Sequence, residues 1–293
     1  MNDKTEKGKV CESNIKAFDE LAKDYTEEHI IPAQEKAFEK NIKYMVKNLN
    51  KKIKILDIGC GTGILTTHFY KIAPEALIFC LDISKGMLNN LKNKLNDSEK
   101  SRSVFLCCDA LEFLKKCKIK FDIIAIHGAL HHLYDYKEVV DISSKKLTRG
   151  GFYYIAGEPR PKEDYNYYID QLFRISDRAL KEKTWQYLKR IIYLVYSPFN
   201  FISPLINNKK LGRIKNKLLY KKNYRRDELV EYWGYEKGID VKDIIKIMEK
   251  NQLKILSISV SHSFRYDIFY FLEKILKVRP FFNMIAKKEY FTI

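Results

Sequence analysis

The sequence predicts an α/β protein built on a mostly parallel sheet with helices on both faces. Three observations lead there. Five short apolar runs alternate with helix-length segments between residues 53 and 156. The first of these runs breaks into a turn with glycine at every second position. Alternation then stops for some seventy residues and resumes near the C-terminus. Strands alternating with helices at this spacing form βαβ units, whose crossovers cover both sheet faces. With 293 residues, 46% of them hydrophobic, the chain can bury a full core.

The elements follow in order. Ile15, Phe18, Leu21, Ala22 and Tyr25, then Ala37, Phe38, Ile42, Met45, Val46 and Leu49, recur at spacings of three and four. They predict two amphipathic helices between residues 13 and 50, separated near Pro32. Strands are expected at 53–58, 76–81, 103–107, 121–126 and 152–156. Helices are expected to begin near Leu65, Lys85, Leu111 and Tyr136. After Glu158 the chain is rich in Tyr, Phe, Lys and Arg, with no strand pattern as far as Trp233. A helix at 241–250, a strand at 253–260, a helix at 268–277 and a strand at 281–286 complete the order. The reading is one sheet domain, formed by residues 1–158 and 236–293, carrying a helical insertion at 159–235 after its fifth strand.

Composition narrows the class. The six cysteines show no metal-ligand spacing, and several sit in apolar runs as small buried hydrophobes. No metal site is expected. Reduced thiols and a polar, charged start without an apolar core segment point to a cytoplasmic protein with no secretory signal. The net charge of +17 is not evenly spread: residues 160–226 hold 17 Lys or Arg against five acids, whereas residues 1–50 hold nine Lys against ten acids.

The glycine turn reads Asp57-Ile58-Gly59-Cys60-Gly61-Thr62-Gly63. A dinucleotide-binding turn has the form Gly-x-Gly-x-x-Gly, letting the backbone approach a pyrophosphate. Here the third glycine falls one place early, and Asp57 would repel a pyrophosphate. A nucleoside cofactor bearing a cationic centre and an ammonium group suits that acid better.

Taken with its companions, the turn resembles the first motif of class I S-adenosylmethionine-dependent methyltransferases. Leu81-Asp82-Ile83-Ser84 resembles the acidic motif whose carboxylate accepts from both ribose hydroxyls. Cys108-Asp109-Ala110 resembles the motif whose acid accepts the adenine amino group. The stretch from Phe121-Asp122 to His131-His132-Leu133 resembles the fourth-strand motif, and Leu147-Thr148-Arg149-Gly150-Gly151 the turn before strand five. Five motifs in order cover roughly residues 14–159 and, more weakly, 241–288. The resemblance implies a Rossmann-like, seven-stranded sheet ending in an antiparallel hairpin. It implies S-adenosylmethionine as cofactor, held by Asp57, Gly59, Cys60, Gly61, Gly63, Asp82, Ile83, Met87, Asp109, Ala110 and His127.

Each of these residues also has a structural reading. Asp82 or Ser84 could cap a helix, and Asp109 could start one. His131, His132 and Glu158 lie where a catalytic group would stand, although Glu158 could equally be a capping acid. The fourth-strand exit, Ile126-His127-Gly128-Ala129, lacks the Asn/Asp-Pro-Pro-Tyr/Phe pattern of enzymes that methylate nucleic-acid amino groups.

Within the insertion, residues 191–208 carry no charge and are followed by a run of Lys and Arg. Pro198, Asn200 and Pro204 argue against a membrane-spanning helix, which needs about 20 apolar residues. A substrate lid, an element lying on an anionic membrane surface and an RNA-phosphate face remain open. The expected activity is O- or C-methylation of a small or lipid-linked acceptor, anionic or amphipathic in character. RNA methylation and non-catalytic cofactor binding stand as alternatives, and oligomeric state is not legible.

Overall fold

A computed structural model describes residues 3–24, 32–49, 52–164, 237–261 and 281–289. The chain divides into two compact units, and all described residues fall in the first, made of Met1–Asp164, Asp227–Ser263 and Pro280–Ile293. The expected helix at 268–277 and the insertion beyond Asp164 lie outside the described residues.

Two helices lead in, α1 (Asp3–Ala22) and α2 (Pro32–Lys47). Seven strands then form one sheet: β1 (Lys54–Ile58), β2 (Leu77–Asp82), β3 (Ser103–Cys107), β4 (Phe121–His127), β5 (Leu147–Pro159), β6 (Leu253–Ser261) and β7 (Phe281–Lys288). Their spatial order is β3-β2-β1-β4-β5-β7-β6. The first five pair in parallel, and β7 inserts antiparallel between β5 and β6. This is the sheet the sequence predicts, hairpin included.

Crossovers are made by α3 (Ile64–Ile72), α4 (Lys85–Lys94), a short α5 (Asp97–Ser101), α6 (Ala110–Lys116) and α7 (Tyr136–Lys145), and α8 (Val241–Lys250) precedes β6. Strand residues alternate between two cores. Leu56, Ile58, Ile124, Ile126, Tyr153 and Ile155 pack with residues of α6, α7 and α8. Ile55, Ile78, Ile123, Ala125, Phe152 and Tyr154 pack with α2, α3 and α4. Period-two alternation in strands covered on both faces produces this division. No helix among the described residues is long and apolar enough to cross a membrane.

The structure departs from the sequence expectation in two places. Helix α1 begins at Asp3, ten residues before the amphipathic pattern does. Its first turns are polar, but Val10 is buried against the body of the domain, so tertiary contact holds a stretch that periodicity does not mark. Strand β5 runs from Leu147, because the Gly150-Gly151 turn is absorbed as an irregularity in its pairing with β4. As expected, α7 begins at Tyr136, and His131 and His132 lie ahead of it in a 3-10 turn, Leu130–His132.

The turn after β1 is sterically committed. Gly59 has φ +67°, and a Cβ built there would stand 2.3 Å from the Cβ of Ala129 in the loop after β4. Left-handed backbone and a hard contact act together, so Gly59→Ala should destabilise the protein by roughly 2–4 kcal/mol. Urea denaturation of the two proteins measures this.

Candidate functional site

A cavity of about 270 Å³ opens at the C-terminal ends of β1 to β4, where ligands meet open α/β sheets. The glycine turn forms one wall. Gly61 has φ +53°, and an added Cβ would meet nothing within 4 Å, so bare backbone faces open space. The Gly61 amide donates to Oδ2 of Asp82 at 2.8 Å, while Oδ1 accepts from the Ser84 amide, also at 2.8 Å. Ser84, not Asp82, caps α4, its hydroxyl accepting from the Met87 amide. The Asp82 carboxylate is thus clamped at the cavity with lone pairs left over. Burial holds its carboxyl above the usual range, and the amides of Ser84 and Gly61 pull it back.

Asp57, 1% exposed, also lines the cavity and accepts from Thr66 Oγ1 at 2.7 Å. Burial is the main cause that pushes its carboxyl up to about 7, with the Asp82 charge adding to it. Asp109 caps α6 by accepting from the Glu112 amide, and it lines the cavity as well. The helix-cap reading of that residue therefore holds, and its side chain also faces the cavity. Lys7 of α1 stands 3.0 Å from Asp135 and 3.8 Å from Asp109. Four acids against one lysine make the cavity favourable to a ligand carrying positive charge.

The predicted contacts divide by position. Cys60, Ile83, Met87, Ala110 and His127 line the cavity beside the residues already named. Gly63 does not; at φ +89° it packs beneath Leu91 and shapes the turn from behind. Burial pushes the His127 imidazole down to about 4, so it is neutral at physiological pH, with its ring edge-on to Phe38 of α2. His132 lines the cavity and meets Phe18 of α1 edge to face.

His131 and Glu158 stand behind that wall. Glu158 is fully buried. Its Oε1 accepts from the amides of Ala129 and Leu130, both at 2.9 Å, and its Oε2 accepts from the His131 amide at 3.2 Å. Oε2 also lies 2.8 Å from Nδ1 of His131. Burial alone would raise the Glu158 carboxyl, but His131 and the two amides hold it below the carboxylate range. With Glu158 ionised, the Nδ1 partner is a donor, which fixes the His131 tautomer.

The feature that sequence reading missed is α1 as a cavity wall. Lys7, Val10, Cys11, Asn14 and Phe18 all face it. Spacings of three and four along that set marked one helix face, but three of its five residues are not strongly apolar, which hid the stripe. Among the described residues, no cluster of three or more His, Cys, Asp or Glu could hold a metal ion.

The methyltransferase-domain family profile matches residues 49–194. The chain carries a class I S-adenosylmethionine-dependent methyltransferase domain. An uncharacterized methyltransferase of Schizosaccharomyces pombe is 31% identical over 115 residues, 38% of this chain and 41% of that one. O-methyltransferase 3 of Dictyostelium discoideum is 24% identical over 236 residues, 75% of this chain and 50% of that one. The chain spans at most about half the length of these curated relatives. The crystal structure of magnesium protoporphyrin IX methyltransferase from Synechocystis PCC 6803 with bound S-adenosylhomocysteine shares the fold, with TM-score 0.52 and 14% identity over 97% of this chain and all of that one.

The methyltransferase cofactor, S-adenosylmethionine, fits what this cavity offers: clamped carboxylate oxygens, backbone without side chain at Gly61, and an excess of acids. The buried acid in that set has a cost. Because Asp57 titrates near 7 in the fold and near 4 when unfolded, its contribution favours folding fully below pH 4. That contribution is lost as pH rises from 4 through 7. Asp57→Asn should therefore match the wild type near pH 4 and exceed its stability by about 2–4 kcal/mol at pH 8. Denaturant titrations of the cofactor-free proteins at the two pH values give the comparison.

Proposed function

We propose that this protein transfers a methyl group from S-adenosylmethionine to an oxygen or carbon of a small or lipid-linked acceptor. The observation that carries the reading is the Asp82 carboxylate, fixed by the amides of Gly61 and Ser84 at the wall of an acid-rich cavity. Two ribose hydroxyls are donors, and a rigid carboxylate is a natural acceptor for both. Support for oxygen as the methylated atom comes from the O-methyltransferase similarity over three quarters of the chain. The 17 basic residues against five acids at 160–226, interleaved with aromatics, favour an anionic or amphipathic acceptor. That same segment is the basis for contact with an anionic membrane surface. Six free thiols accord with a reducing compartment such as the cytoplasm.

When bound, the cofactor supplies a methyl group already activated on a positively charged sulfur. The protein's part is then alignment and, for a hydroxyl acceptor, removal of a proton. His132 stands on the cavity wall, which supports reading it as the group that takes that proton. His131 and Glu158 act as positioning residues. Glu158 holds the turn 129–131 through its amides, and the ring of His131 lies 3.9 Å from that of His132. Glu158 is not itself placed as a base, since its oxygens are engaged by four hydrogen bonds.

Isothermal titration should show S-adenosylhomocysteine binding to the wild type and at least tenfold weaker binding to Asp82→Ala; equal affinity would remove the cofactor assignment. Because protonation removes the Asp82 charge, affinity should also fall as pH drops through its raised pKa. Once an acceptor is found with radiolabelled methyl donor, His132→Ala should lower turnover by about 10²–10⁴ for a hydroxyl substrate while leaving cofactor affinity near wild type. RNA binding with steep salt dependence, together with methyl incorporation into an RNA pool, would replace the small-molecule reading.

A further inference from the structure

Helix α1 closes one side of the cavity and is tied down along its length. Lys7 pairs with Asp135, the Asn14 amide nitrogen donates to the His132 carbonyl at 2.8 Å, and Asp19 accepts from Ser84 Oγ at 2.6 Å and the Gly86 amide at 2.9 Å. Asn90 adds a bond to the carbonyl of Ala22. Within this well-bonded helix one atom is left over. Asn14 is only 5% exposed and lines the cavity, yet its side-chain oxygen has no hydrogen-bond partner among the described residues. The amide nitrogen's bond to a carbonyl fixes which end is oxygen, because a flipped amide would set two acceptors against each other. Buried acceptors without partners are rare, and one in a ligand cavity points to a donor on the ligand.

The identity of that donor follows from what the other acceptors do. S-adenosylmethionine presents three kinds of strong donor: ribose hydroxyls, an adenine amino group and the α-ammonium group of its methionine part. Asp82 and Asp109 are matched to the first two. Asp57 is already engaged by Thr66 and is the most deeply buried of the acids. The ammonium group carries three N–H bonds, more than Asp57 alone can satisfy, so a second side-chain acceptor is needed. We propose that Asn14 Oδ1 accepts from this α-ammonium group, making α1 the element that distinguishes the amino-acid-bearing cofactor from a bare nucleoside thioether. This inference rests on the cavity being the S-adenosylmethionine site.

The test uses two ligands and no methyl acceptor. S-adenosylhomocysteine carries the ammonium group, whereas 5′-methylthioadenosine has the same nucleoside and thioether without the amino-acid part. Both are titrated calorimetrically into the full chain and into Asn14→Ala, Asn14→Leu and Asn14→Asp, with thermal melts confirming folding. Removing a hydrogen bond to a charged donor should weaken S-adenosylhomocysteine about ten- to a hundredfold in Asn14→Ala and Asn14→Leu while leaving 5′-methylthioadenosine within about twofold. Asn14→Asp, which keeps an acceptor oxygen, should retain the preference for S-adenosylhomocysteine. Parallel weakening of both ligands would make Asn14 only a fastening of the wall and overturn the inference, as would no change in either. If the wild type bound neither ligand, the cofactor assignment itself would fall, a result distinguishable from loss of preference in the variants alone.

Discussion

The geometry of the whole ligand-binding end depends on the bond between the Gly61 amide and the Asp82 carboxylate. Three of the five residues in the turn after β1 are glycines with left-handed backbone, so few side chains help to hold its shape. Asp82, at the end of the neighbouring strand, supplies the missing constraint, while its second oxygen fixes the Ser84 amide at the entry to α4. One carboxylate therefore sets the turn, the start of a helix and the position of its own remaining lone pairs. Gly59 and Gly63 make the turn compact enough for Ala129 and Leu91 to close against it.

The cavity concentrates negative charge at a cost to the apo protein. Asp57 stays a carboxylate at neutral pH only in part, because burial and the charge of Asp82 both oppose ionisation. A ligand with positive charge relieves that opposition, so binding and ionisation reinforce each other. The neutral imidazole of His127 fits the same pattern, since a second cation at the wall would work against the ligand. Charge preference and pocket shape are thus set by the same few residues.

Much of this was legible in the sequence, for particular reasons. The parallel sheet follows from the alternation of buried runs with helices, and the acids at positions 57, 82 and 109 stand at or near the ends of apolar runs. Position 109 shows why capping a helix and facing a cavity need not compete: one oxygen can serve the helix while the residue still lines the cavity. Other parts were hidden. Glu158 reads as an acid after a strand, and nothing local says that it is fully buried or that its partners lie in the loop after β4. The role of α1 was hidden for a related reason, since Lys7, Cys11 and Asn14 owe their positions to distant residues and not to helical periodicity.

Glu158 has one more consequence, for the order in which the molecule is made. Its strand is held on its outer side by β7, with Glu158 paired to Phe282 and Pro159 to Phe281, while its side chain grips the turn 129–131 on the inner side. On the ribosome, β1 to β5 emerge and can pair long before β7 exists. Until β7 slides in between β5 and β6, the end of β5 is an unprotected sheet edge and the buried carboxylate has no fixed platform. Closing that edge of the sheet therefore waits for the β6–β7 hairpin, although the residues that line the cavity all precede it in the sequence.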